Sequence, residues 1–448
     1  MSKKEFKDVI KRSGSIVPFN QERIENAIYR AAVSVGGRDR ERAKWLAEKV
    51  IAYLHEKLPE GHTPHIEEIQ DAVEKTLIEN GHAQVSKEYI LYREERNRAR
   101  REAGKRASTH GDNIPWRKIW YVLDWAVKHN LHTLSALNKR ILGGEFPQIV
   151  HESESAYDDN VETAAQMITE RKDGLKLVII SGPSSSGKTT TTIKIEQRLK
   201  KQGLRFRALN VDNYFFDLEE HPKDEFGDYD FETPQALDLP LINEHLQALT
   251  CGEDVLIPYY DFKAGRRILG QTTMKLEENE ILLLDSLHGL YPPMTKGIPS
   301  AQKFAIYLEP LLQMRGADDE YVRWADLRLI RRMLRDAVHR AYDPERTLQH
   351  WHYVRSSELR NIIPNIDSVD VIINSAMPYE LAIYRPRLLG KFEEWEAKYR
   401  DDPLREDAFK RASRILRMLN EVVPVEDESP IPPDSVLREF IGGSSLSY

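Results

Sequence analysis

Eight residues, GPSSSGKT from Gly182 to Thr189, match a phosphate-loop pattern at every specified position. The two glycines let the backbone wrap so that successive N–H groups converge on an anion. The helix expected to follow adds the positive end of its dipole. The pattern predicts a nucleotide triphosphate held by Gly182, Pro183, Ser184, Ser185, Ser186, Gly187, Lys188, Thr189 and Thr190. Lys188 would reach the outer phosphates, and the Thr189 hydroxyl would serve Mg²⁺. Asp285, at the end of the apolar run EILLLDS, is the matching acid for the metal. An Asn-Lys-x-Asp element after the loop would indicate guanine specificity. The Asn-Lys pair of this chain, Asn138-Lys139, precedes the loop and lacks the acid.

Two further groups bear on where the phosphate goes. Asp212 closes the run LNVD, and a carboxylate at the carboxyl end of a parallel strand lies beside a nucleotide crevice. There it could take the proton of an attacking hydroxyl, or it could cap a turn. Arg328, Arg331, Arg332, Arg335 and Arg340 recur along WADLRLIRRMLRDAVHRAYD. Such a stripe is either a solvated face or a lid that closes over phosphates.

The elements that must carry these groups can be read from periodicity. KLVIIS, FRALNV, EILLLDS, KFAIYLE and VDVIINS are short apolar runs separated by amphipathic stretches, which predicts a parallel sheet with helices on both faces. A long helix is expected through YDDNVETAAQMITERK to Gly174. WRKIWYVLDWAVKHNLHTLSALNKRIL reads as a helical spacer closed by Gly143-Gly144. The stretch 103–157 is therefore assigned as a helical linker region, and the tail PPDSVLREFIGGSSLSY as loop.

Ahead of these, FKDVIKRSGSIVPF predicts strand, turn and strand. Asn20 would cap a helix with Ile24, Ala27, Ile28 and Ala31 on one face. ERAKWLAEKVIAYLHEKL is a second helix, and Thr63-Pro64 would cap and open a third that stops at Asn80-Gly81. A last helix begins near Ser86. Residues 1–102 thus form a small, mostly helical module.

Composition narrows the classes. A net charge of −7 opposes general nucleic-acid or anionic-membrane binding. The basic run from Arg93 to Ser108 reads either as a solvated helix end or as an anion site. Cys251 is the single cysteine, so no intrachain disulfide forms. No run approaches the ~20 apolar residues of a membrane span, and the N-terminus lacks a secretory pattern. A cytoplasmic location is expected.

From about Asp158 to the end, the chain resembles the uridine kinase and phosphoribulokinase family. GDYDFETPQALDLPLINEHLQAL, VLIPYYDFKAGRR, LRLIRRMLRDAVHRAY, VDVIINSAMPYELA and VLREFIGGSS carry the likeness, beside the loop. The resemblance implies an α/β P-loop kinase domain over 158–448 that uses ATP and Mg²⁺ to phosphorylate a small-molecule hydroxyl. By position, Asp212 matches the catalytic base. Tyr214, Phe215, Glu232, Tyr260 and Arg267 match acceptor contacts, and Arg331, Arg332, Arg335 and Arg340 match the lid. Three positions depart from the uridine-kinase pattern: Gly265 stands for a His, His350 for a Gln, and Asp285-Ser286 for Glu-Gly. His288, in DSLHGL, either assists the acceptor or fills the core.

VIKRSGSIVPFNQERIENAI and SKEYILYREERNR resemble a second family, the ATP-cone. This implies a site for ATP or dATP as effector at Lys11, Arg12, Asn20 and Arg23, acting through altered homo-oligomerisation. The expected function is a regulated kinase of a nucleoside 5′-hydroxyl. A kinase of a sugar phosphate, bound by Arg266, Arg267 and Arg355, and a nucleotide-sensing regulator with a kinase-like switch are the alternatives.

Overall fold

The computed structural model of the chain describes residues 6–10, 16–35, 37, 39–59, 62–90, 114–221, 233–262, 264–316, 319–339, 343–402 and 405–447. Two compact units emerge, one within 1–111 and one built from 112–221 and 231–448.

The first unit begins with strands β1 (Asp8–Ile10) and β2 (Ile16–Pro18), paired antiparallel with Val9 opposite Val17. Helix α1 (Gln21–Ser34) follows, and Asn20 Oδ1 accepts the Glu22 N–H at 2.8 Å, as a cap should. Helices α2 (Arg40–Lys57) and α3 (Ile66–Glu79) pack on it, and residues 83–90 are helical. Ile28, Ala47, Val50, Val73 and Leu77 are sealed in the core because they recur at helical spacing. The start of α3 differs from the Thr63-Pro64 expectation. The Pro64 carbonyl accepts the Ile10 N–H at 2.9 Å, which ties that backbone to β1. His65 caps the helix instead, in a reciprocal box with Glu68.

The second unit centres on a parallel sheet of β3 (Leu177–Ser181), β4 (Arg205–Ala208), β7 (Glu280–Asp285), β8 (Lys303–Glu309) and β9 (Val371–Asn374). Its order is β4-β7-β3-β8-β9, so β3 sits in the middle. A separate hairpin joins β5 (Val255–Asp261) to β6 (Arg266–Met274). The sequence reading did not name this hairpin.

Helices α4 (Trp116–Lys128), α5 (Leu134–Leu142) and α6 (Phe146–Glu170) precede the sheet. They are not a spacer. Leu134, Leu137, Ile149, Val150 and Tyr157 lie in the same core cluster as Val178 and Ile306 of the sheet. Asn138 is likewise structural: it donates to the Glu421 carbonyl at 2.6 Å and accepts the Val423 N–H at 2.7 Å.

The remaining helices are α7 (Lys188–Lys201), α8 (Leu239–Thr250), α9 (Trp324–His339), α10 (Pro344–Asn361), α11 (Glu380–Tyr399), α12 (Glu406–Glu421) and the short α13 (Arg438–Ile441). The tail expected to be a loop is part of the core. Val436, Leu437 and Phe440 are fully buried in the cluster that holds β3 and β8. Among the described residues, no helix is long and apolar enough to cross a membrane.

Candidate active site

β3 is buried along its whole length and delivers the chain to Gly182. A Cβ there would lie 2.2 Å from the Leu308 carbonyl oxygen, so only glycine fits the approach to β8. Ser185 and Gly187 turn with φ of 59° and 92°. Gly187 caps α7 in the left-handed region, and a Cβ on it would meet Val436 of the tail at 2.5 Å. The loop is therefore shaped by two distant segments, β8 and the C-terminal tail.

Side chains far away in sequence then hold the loop. Glu358 of α10 accepts the Ser184 N–H at 3.2 Å. That carboxylate is gripped by Arg328 at 2.6 and 2.9 Å and by Arg355 at 2.6 Å. Ser375 donates to the Ser186 carbonyl at 2.5 Å. Glu439 of α13 accepts both the Thr190 N–H, at 3.2 Å, and the Thr190 hydroxyl, at 2.8 Å. Sequence reasoning missed Glu358, Ser375 and Glu439. The one legible signal was the apolar spacing of Val436, Leu437, Phe440 and Ile441, which marks the tail as a packed element.

Lys188 opens α7, and its Nζ donates to the Gly182 carbonyl at 2.9 Å. Burial pushes its ammonium below the ordinary lysine range, opposed by the nearby charges of Asp285 and Glu439. Thr189 is exposed.

Asp285 lies opposite Ile180 in the β3–β7 register, immediately beside the loop. Burial raises its carboxyl above the usual aspartate value, against the pull of Lys188. Among the described residues no arginine or lysine forms an ion pair with it, and Thr192 Oγ1 donates to it at 3.4 Å. A desolvated carboxylate with no ion-paired arginine or lysine among the described residues, next to the loop that ends in the exposed Thr189, suits a hard divalent ion that completes its shell with phosphate and water. This donor pair fits Mg²⁺.

Asp212 stands just past β4, the neighbour of β7, in a short helical turn. The turn is capped by Asn210, whose Oδ1 accepts the Asp212 N–H at 3.1 Å. The Asp212 side chain is exposed, and its charge contributes to the raised Asp285 value. Both acids thus occupy the carboxyl ends of adjacent strands.

An aromatic wall follows Asp212. Phe215 stands 5.5 Å from Tyr260, and Tyr260 is 4.9 Å from Phe262 edge-on. The Tyr260 N–H donates to Asn213 Oδ1 at 3.3 Å, which fastens the hairpin to the Asp212 turn. Phe262 is 61% exposed and offers a ring face to solvent.

Several expected roles differ in the folded protein. Tyr214 is fully buried and hydrogen-bonded to His245 Nδ1 at 2.8 Å, so it belongs to the core beneath α8. Arg267 donates to Asp238 at 2.8 Å, and its own N–H goes to Asp217 at 2.7 Å, so it anchors the hairpin. Arg331 is not on a closing lid. It is sealed in a fork on Glu380 at 2.7 and 2.9 Å and reaches the Ser375 carbonyl at 2.7 Å. A fully desolvated guanidinium needs such fixed partners, and leaving them would cost several kcal/mol. Arg328 is buried for the same reason. The stripe residues that face the loop are Arg332, which donates to Ser184 Oγ at 3.3 Å, and Arg335, whose charge depresses Lys188. Asp336 holds Arg335 at 2.9 Å.

His288 is 5% exposed, in keeping with a packed position. Gly265 has φ of 64°, and a Cβ there would press to 3.0 Å on Leu218. A histidine cannot stand at that point without moving the hairpin. Glu232, Arg340, Lys11 and Arg12 lie outside the described residues. Asn20 is used as the cap of α1, and Arg23 is exposed on α1.

Residues 177–381 match the model of the phosphoribulokinase / uridine kinase family, and residues 7–98 match that of the ATP cone domain. The uridine kinase of Deinococcus deserti is 31% identical over 195 residues, covering 43% of this chain and 84% of that protein. Uridine-cytidine kinase B of Dictyostelium discoideum is 27% identical over 198 residues, covering 44% and 73%. The vitamin B12-dependent ribonucleoside-diphosphate reductase of Thermoplasma acidophilum is 43% identical over 102 residues, 22% of this chain and 13% of the reductase.

Proposed function

As a member of the phosphoribulokinase and uridine kinase family, the chain is a phosphotransferase acting on a hydroxyl group, and we propose that the acceptor is a nucleoside 5′-hydroxyl, the donor ATP, and the regulator an adenine nucleotide on the N-terminal module. The observation that carries this reading is the meeting of Lys188, Asp285 and Asp212 at the carboxyl ends of β3, β7 and the turn after β4, with the Phe215–Tyr260–Phe262 wall beside Asp212.

The steps follow from those positions. The loop N–H groups and Lys188 hold the phosphates, and Arg332 and Arg335 approach the loop from α9. The acceptor hydroxyl gives its proton to an Asp212 carboxylate oxygen as its own oxygen bonds to the γ-phosphorus. The bond from that phosphorus to the β–γ bridging oxygen breaks, and ADP leaves with the electron pair. Mg²⁺, held by Thr189 and Asp285, would neutralise charge on the β- and γ-phosphate oxygens.

A planar base suits the exposed ring of Phe262, which the buried Tyr260 backs edge-on. A phosphorylated acceptor is less well served, because Arg267 is tied to Asp238 and Arg355 lines a separate cavity beside Glu309 instead of the wall at Asp212. The glycine at 265 removes a side chain that pyrimidine recognition would use, so base preference is set elsewhere on the wall. ADP release with uridine, cytidine, purine nucleosides, deoxynucleosides and pentose phosphates, each with and without dATP, tests the reading. Fast release with one nucleoside is expected. Release only with a pentose phosphate refutes the nucleoside, and no acceptor-dependent release removes the kinase activity altogether.

A further inference from the structure

A cavity of about 370 Å³ lies where the first turn of α9 meets α10 and α12. Arg323, Arg355, Arg411 and Arg414 line it together with Trp351, against two carboxylates, Glu309 and Asp326. It is not the acceptor site. Glu309 ends β8, which flanks β3 on the side away from β7 and β4, whose ends carry Asp285 and Asp212. Nor is it the phosphate loop's own mouth: about 18 Å of helix, at 1.5 Å per residue, separates Arg323 from Arg335.

The charges in the wall are incompletely met. Arg414 forks onto Asp326 at 2.5 and 2.7 Å. Arg411 donates to the Leu348 carbonyl at 2.8 Å and to Asp407 at 3.2 Å, and burial still pushes its guanidinium below the ordinary arginine range. Arg323 is exposed and has no acidic partner among the described residues. Trp351 is 1% exposed, and its buried indole N–H has no acceptor. An unmade hydrogen bond at a buried donor is costly, and an oxyanion would supply the missing acceptor. Guanidinium forks match phosphate oxygens in pairs, and a volume of this size admits a small metabolite.

We propose that this cavity is a second anion site of the kinase unit, which takes a small phosphate-bearing metabolite on Arg323, Arg355, Arg411 and the Trp351 N–H. The site is wired to the loop. Arg355 holds Glu358, and Glu358 accepts the Ser184 N–H, so an anion that draws on Arg355 acts on the loop through one carboxylate.

Calorimetric titration of inorganic pyrophosphate into the full chain tests this. Binding to the loop and binding to the cavity are separated by two variants. Saturable binding should persist in Lys188→Ala and, in that Lys188→Ala background, weaken at least tenfold when Arg323→Ala and Arg411→Ala are added. The exposed Arg323→Ala added alone to Lys188→Ala should weaken it several-fold with an unchanged thermal midpoint. Absence of pyrophosphate binding to the Lys188→Ala chain overturns the proposal. Binding that survives the added pair, or that the added Arg323→Ala leaves at the affinity of Lys188→Ala, overturns it as well.

Discussion

At the scale of single residues, two acids have opposite environments and opposite tasks. Asp212 is exposed, as the proposed general base must be, whereas Asp285 is desolvated beside Lys188. Replacing Asp212 by Asn should lower kcat by about 10²- to 10⁴-fold, the range of a lost general base. Affinity for ATP, measured by calorimetry, should be nearly unchanged. Retained turnover would take Asp212 out of the proton transfer. Asp285→Asn should also stop turnover, but with a different mark on stability. Burial raises the folded pKa of Asp285 above the ordinary value of 3.8. Its contribution is therefore greatest below that value and is lost as pH rises through the folded pKa. The Asn variant lacks this loss, so its unfolding midpoint relative to the parent should climb as pH increases from 3 towards 7. A difference that is flat with pH would show that Asp285 is not desolvated in the free protein.

At the scale of elements, the loop is shaped by what packs behind it. Arg328, Glu358 and Arg355 form a buried clamp that connects α9 and α10 to Ser184. Glu358→Ala leaves Arg328 in the interior with only the looser Glu309 pair at 3.5 Å and the Ser184 carbonyl at 3.1 Å, and should destabilise the kinase unit by about 3 kcal/mol. Urea unfolding would read that loss, and a cost below about 1 kcal/mol would mean the guanidinium finds water. The tail makes a separate prediction. Phe440 is fully buried, with Arg331 4.9 Å over its ring, and Val436 touches Gly187. Phe440→Ala should cost about 3–5 kcal/mol by leaving a cavity, and should weaken ATP binding because α13 carries Glu439 to Thr190. Destabilisation with unaltered ATP affinity would detach the tail from the loop.

At the scale of the whole molecule, one chain joins an ATP cone domain to a kinase domain. Regulation requires that an effector bind two states of the protein unequally. In the full chain, Lys11→Ala with Arg12→Ala should abolish the change in ADP release caused by dATP and leave basal turnover intact. A response of undiminished size would remove those two residues from the effector site.

The local patterns were legible because they depend on near neighbours. The phosphate loop needs its glycines and lysine at fixed spacing, and the five apolar runs each became a strand of one parallel sheet. The helices of the first unit followed from 3.6-residue periodicity, apart from the start of α3, where a hydrogen bond from Ile10 to Pro64 overrode a good capping signal. What the sequence could not disclose was which charged groups would lose their water. Arg328, Arg331, Arg332 and Arg335 form one stripe in the chain, yet Arg328 and Arg331 are sealed in buried ion pairs while Arg332 and Arg335 keep partial access to water. Tyr214 and Phe215 are adjacent, and one enters the core while the other joins the aromatic wall. Burial is a property of the assembled helices around the sheet, so only the tertiary structure decided which charges were sealed away from water.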